Sequence, residues 1–169
     1  MTGTTRYSPG DHLGDRSLLV AASYVVLLRG TDRGTGAPEV LLQLRQGTGY
    51  LDGHWATLAG HVDPGESVHE AAVREADEEA GIRIAPGDLE PLTVLHRFER
   101  GGPQVEQRCD VFFVVRTWSG EPAVREADKA AAMAWFSLDA LPEPVVPHER
   151  LVLDGVRTGA LPAVLSLPT

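Results

Sequence analysis

Apolar and polar positions change their period several times along the chain, and each change marks an element. Leu18–Leu28 and Val40–Leu44 are nearly unbroken apolar runs, the pattern of buried strands, joined by the turn-rich Gly30–Pro38. A glycine-bearing loop, Gln46–Gly53, leads to a short strand near Trp55. Leu92–Arg100 alternates and meets Val105–Trp118 through Gly101-Gly102-Pro103, which reads as a hairpin. Ala131–Phe136 is a further strand, and Pro142–Pro147 is a loop. Two stretches switch to the helical period. In His148–Arg157 the apolar positions are Leu151, Val152 and Val156. Between Ser67 and Gly81 they are Ala72, Val73, Ala76 and Ala80. No segment repeats. Strands interleaved with two helices predict an α/β fold, a mixed sheet between helices. Residues 17–160 read as one domain, 1–16 as a flexible polar arm and 161–169 as a C-terminal tail.

The first helix carries an unusual load. Ser67 and Glu70 form the S-x-x-E capping box at its start, and Gly81 suits a left-handed stop at its end. Glu75, Glu78 and Glu79 fall within an arc of about 100° on one flank. Glu75 and Glu79 lie at the edge of the buried face, where a charge is costly unless paired or metal-bound. Carboxylates this close raise one another's pKa unless a cation sits among them, and hard divalent ions such as Mg²⁺ suit oxygen ligands. Arg74 stands four residues from both Glu70 and Glu78, so it can ladder with either or hold a neighbouring carboxylate. A solvated acidic helix would show such a ladder too. It would not need Gly60 and Glu66 upstream in fixed register.

That register carries a resemblance. Residues 60–82 match G-x5-E-x7-R-E-U-x-E-E-x-G-U, with U a bulky apolar residue, at Gly60, Glu66, Arg74, Glu75, Glu78, Glu79 and Gly81. This resembles the box of the Nudix family. Ala76 replaces the usual larger residue at the first U, and Thr57-Leu58-Ala59 stands where many relatives have Leu-Pro-Gly or Leu-Pro-Ser, which predicts a looser loop before Gly60. Trp55–Val62 and Trp135–Pro142 extend the likeness on either side. The resemblance implies a Nudix-type α/β/α sandwich. It also implies Mg²⁺, with Mn²⁺ as substitute, held by Glu78 and Glu79, and Glu75 as third ligand or as the base for an attacking water. By the same likeness Arg74 orients Glu75, Gly60 contributes backbone, and Glu66 fixes the loop or adds a ligand. The segment Trp118–Glu126 is similar to the one that supplies an extra metal-binding glutamate in MutT-type members. Glu126 holds that place, with Asp128 as rival. Arg45 ends the second strand, where relatives present a phosphate-binding arginine. Trp135-Phe136 reads first as core.

Composition narrows the picture. A net charge of −9 and a pI near 5.0 argue against a nucleic-acid polymer as partner, which needs clustered cations. Lys129 is the only lysine, so a phosphate grip falls to arginine or metal. Cys109 is alone, which excludes an internal disulfide and a cysteine zinc site; it reads as a strand residue. Met1–Arg16 lacks the apolar core of a signal peptide and Ser17–Leu28 is too short to span a bilayer. No membrane partner is expected and the cytoplasm is the default location, with a homodimer left open. The implied reaction cleaves a nucleoside diphosphate linked to some group X. The segments around Trp118 and Trp135 look closest to MutT-like enzymes, which turn an ordinary or oxidised (d)NTP into NMP and pyrophosphate. The chain contains no asparagine, the simplest side chain for reading a purine edge, so ADP-ribose or a nucleotide sugar competes as substrate. A non-catalytic Nudix-fold ligand-binding module is the alternative outside enzymes.

Overall fold

The computed structural model describes residues 17–30 and 37–169. The arm expected at 1–16 lies outside them, as does most of the connection between the first two strands. Eight strands form one mixed sheet: β1 (Val20–Arg29), β2 (Glu39–Arg45), β3 (Trp55–Ala56), β4 (Leu58–His61), β5 (Glu90–Phe98), β6 (Arg108–Val115), β7 (Ala130–Ser137) and β8 (Val164–Pro168). Two helices accompany them, α1 (Val68–Ala80) and α2 (Pro147–Thr158). β1 runs through the centre. It pairs in parallel with β6 from Val20↔Arg108 to Leu27↔Val115, and antiparallel with β4 and the start of β2 on its other side.

The unbroken apolar run of β1 follows from its position, since a central strand covered on both faces has no side to leave polar. Val25, Leu27, Phe113 and Val115 point to one face, against Ala72, Ala76 and Ala80 of α1. Tyr24, Val26, Phe112 and Val114 point to the other, against Val152 and Leu153 of α2. The layers are therefore helix, sheet, helix, with a core on each side. Small residues bring α1 close to the sheet. Ala71, outside the predicted stripe, is fully buried too, whereas Val73 is half-buried.

Three expectations change. Residues 161–169 are not a tail: Val164–Pro168 pairs in parallel with β5, filling an edge whose backbone groups would otherwise face water. The loop expected before Gly60 contains β4, which pairs Ala22↔His61 through Val25↔Leu58. Nor is that stretch loosened by its missing proline. The Thr57 N–H and hydroxyl both donate to Glu149 of α2, at 2.5 and 2.8 Å. The hairpin through Gly101-Gly102-Pro103 is present; β5 begins and ends two residues earlier than expected, and β6 is shorter than the run Val105–Trp118.

Candidate active site

Sequence-local rules place the box. Glu70 N–H donates to the Ser67 hydroxyl, and the Glu70 carboxylate accepts from Ser67 N–H at 2.8 Å, so α1 starts where the capping box predicts. It stops at Gly81, whose φ of 67° is left-handed. β4 delivers Ala59–His61 alongside the helix. Gly60 faces Glu75 so closely that a Cβ would lie 1.8 Å from its Oε1. The glycine is a cradle for that carboxylate.

Arg74 ties the box together. It donates to Glu66 at 2.9 and 3.0 Å, to Glu75 at 2.6 Å, to Glu78 at 3.0 Å and to the His61 carbonyl at 3.0 Å. The predicted ladder to Glu70 does not form, because Glu70 is engaged in the cap. Glu66 also accepts from Asp63 N–H, closing the loop between β4 and α1. Glu79 sits deepest and accepts from Ala59 N–H at 2.9 Å. Burial, above all, pushes its carboxyl up to about 8; nearby Glu75 and Glu126 add to the rise, and bonds from Gln43 and Ala59 oppose it. Glu75 is raised as well, mainly by burial and against the pull of Arg74.

A cavity of about 570 Å³ opens between β1, β2, β4, β5, β6 and the two helices. Arg74, Glu75, Glu79 and Gly60 line one wall, and Arg45, Tyr50 and Lys129 border it beside them. Glu78 does not line it and remains 52% exposed, turned toward Arg74. Glu126 is not on the wall either; it pairs with Lys129 at 2.7 Å. Asp128 is exposed, and its carbonyl would meet a Cβ on Gly47. Arg45 reaches the cavity and uses Nε and Nη2 on the Tyr50 carbonyl and the Thr48 hydroxyl, fastening the loop after β2. Trp135 stacks on Trp118 at 5.7 Å and lies under Arg29, while Phe136 meets Trp55 edge-on at 4.7 Å, both outside this cavity.

Among the described residues no three His, Cys, Asp or Glu side chains are gathered as a ready-made metal cage. The donor set fits a hard cation even so. Glu75 and Glu79 share a wall, Gly60 leaves room beside the first, and the second is a buried carboxyl whose charged form lacks a cationic partner. Those are the residues that would suit a divalent cation.

The model of the NUDIX domain matches residues 18–155. The chain belongs to the Nudix family. It is similar to the 8-oxo-dGDP phosphatase of Homo sapiens, 35% identical over 116 residues covering 68% of this chain and 33% of that protein. It is also similar to a putative 8-oxo-dGTP diphosphatase of Bacillus subtilis, 33% identical over 106 residues covering 63% of this chain and 65% of that protein. The NAD-capped RNA hydrolase NudC of Pseudomonas aeruginosa is 35% identical over 70% of this chain and 38% of that protein. The chain thus spans about a third of the human relative and less than two thirds of the other two. Among solved structures, the Burkholderia pseudomallei MutT NUDIX hydrolase superposes with a TM-score of 0.69 at 29% identity, covering 82% of this chain and 98% of that one. Among the described residues no helix of this Nudix chain is long and apolar enough to cross a membrane.

The sequence reading missed much of the opposite wall: Tyr24, Arg97, Arg108, His148 and Glu149. A signal existed in the period of β6. Arg108 and Asp110 fall on the same side of the strand as buried Phe112 and Val114, and charges at core-facing positions are unusual.

Proposed function

We propose that the protein hydrolyses the pyrophosphate linkage of a nucleoside diphosphate joined to a second group, with Mg²⁺ or Mn²⁺ as cofactor. Its preferred substrate on this reading is an ordinary or oxidised (d)NTP, released as nucleoside monophosphate and pyrophosphate. The observation that carries the reading is the Glu75–Glu79 wall, braced by Arg74 and set in a cavity large enough for a nucleotide. The intact box and the names of the human and Bacillus relatives support it.

When bound, a divalent cation neutralises phosphate oxygens and acidifies the attacking water. The chain supplies the rest. Glu75 takes the water's proton; burial raises its affinity for one, which suits a general base. Arg74 fixes the carboxylate's direction through the 2.6 Å contact, and Gly60 keeps the space in front of it clear. Water's oxygen bonds to phosphorus while the bridging oxygen leaves with its electron pair. Lys129 and Arg45 border the same space and offset the charge of the departing phosphates.

ADP-ribose or a nucleotide sugar is the second reading, favoured by the absence of asparagine. Specificity constants for dGTP, oxidised dGTP, dCTP, ADP-ribose and a nucleotide sugar decide between them. The first reading expects the triphosphates to lead and the base to matter by about tenfold or less, or about 1.4 kcal/mol. A strong preference for ADP-ribose over every triphosphate would overturn it.

A further inference from the structure

The wall opposite the box carries charges that hydrolysis itself leaves unused. Arg97 on β5 and Arg108 on β6 are direct cross-strand partners, so their side chains leave the same face of the sheet, and both line the cavity. Like charges set opposite each other across a ladder repel. Fully buried Asp110 relieves one of them, accepting from Arg97 Nε at 2.5 Å. Arg108 has no carboxylate partner among the described residues; it donates to Nε2 of His61 at 2.8 Å. Burial first and Arg108 second hold His61 below its ordinary pKa, so the ring accepts as a neutral base and leaves the arginine's charge uncancelled. The Nε of Arg108 is buried with no hydrogen-bond partner.

Among the described residues no other neighbour pairs with it. Tyr24 and His148 continue the wall, with hydroxyl and Nε2 3.3 Å apart, and His148 is pushed down to about 3, mainly by burial and then by Arg97, Arg108 and Arg45. Glu149 is committed to Thr57, while Glu106 and Asp63 border the cavity without pairing with Arg108. One residue joins this end to the box. Arg74 donates to the His61 carbonyl, and the His61 ring touches Arg108.

We propose that Arg97 and Arg108 form an anion subsite for a phosphate or carboxylate attached beyond the linkage that is cut. The inference rests on the hydrolase reading and sharpens it. In a nucleoside triphosphate the anionic group is the terminal phosphate, so the subsite selects triphosphate over diphosphate; in a nucleotide-linked compound it is a charge on the second half. Planar guanidinium groups match both oxyanions in two-point contact.

Two matched pairs test it: dGTP against dGDP, which differ by one phosphate, and UDP-glucuronate against UDP-glucose, which differ by one carboxylate. Binding of all four is measured by calorimetry in EDTA, and turnover with Mg²⁺, for wild type, Arg108→Gln and Arg108→Lys, after thermal melts show each variant folded. At least one pair should favour the charged member about tenfold in wild type. Arg108→Gln should bring that ratio close to one and Arg108→Lys should keep part of it. A response of the first pair alone assigns the terminal phosphate, and of the second alone a carboxylate. Ratios near one in wild type, ratios unmoved by Arg108→Gln, or no binding of any of the four would overturn the subsite. Absence of turnover with binding ratios intact would instead sink the hydrolase reading and leave the subsite standing.

Discussion

Gly60 and Glu79 show how much of the site rests on single atoms. A methyl group at Gly60 would occupy the space that the Glu75 carboxylate now fills, and β4 pairing leaves that backbone little room to retreat. Gly60→Ala should therefore fold, judged by an unchanged circular-dichroism spectrum, while turnover falls about a hundredfold, the scale of misplacing a reacting group by an ångström. Wild-type turnover would show that the close approach is irrelevant to chemistry. Glu79→Gln keeps the shape and the contact with Ala59 N–H but removes the ionisable carboxyl, and with it the anionic form a metal would bind. Its turnover should fall by at least about a hundredfold. Its melting temperature in EDTA should hold or rise, because folding no longer has to keep a desolvated carboxyl protonated beside Glu75 and Glu126. Near-wild-type turnover, or a collapse in metal-free stability, would make Glu79 structural. The box residues were legible in the sequence because their spacing is local to one loop and one helix. Arg97, Arg108 and Glu149 were not, since only the pairing of β5 with β6 and the docking of α2 bring them to the cavity.

At the scale of elements, α2 holds the approach to the box through one buried carboxylate. Glu149 accepts both donors of Thr57 and is pushed up to about 7, chiefly by burial. The sign of the linkage follows from a raised carboxyl. Below the ordinary value of 4.5 the group is protonated folded or unfolded and contributes nothing. Between 4.5 and about 7 the unfolded chain loses its proton first, so folding becomes less favourable as pH rises. Glu149→Gln should remove that slope: its melting temperature in EDTA should gain on wild type from pH 4.5 to about 7 and then run parallel. A constant offset across that range would contradict the assignment. Strand prediction failed where pairing, not composition, makes the strand. Leu58–His61 contains a glycine and no β-branched residue, and is extended because β1 holds it. Val164–Pro168 is five residues long, ends on a proline and alternates only in partial exposure, yet it completes the edge beside β5. The first helix, with its cap and stop written locally, needed no such context.

The molecule as a whole carries a net charge of −9 and is expected to bind a polyanionic small molecule. Long-range steering works against that substrate, so the cations that line the cavity and the metal must overcome the global field locally. This places the whole account on metal dependence. The direct test is product formation from dGTP and oxidised dGTP, followed by chromatography while Mg²⁺ is titrated against EDTA at several pH values. The account predicts nucleoside monophosphate and pyrophosphate, lost in excess EDTA, restored by Mg²⁺ or Mn²⁺, and formed faster toward alkaline pH as the attacking water gives up its proton. Full turnover in excess EDTA, or no cleavage of any diphosphate-containing nucleotide with either metal, would contradict it.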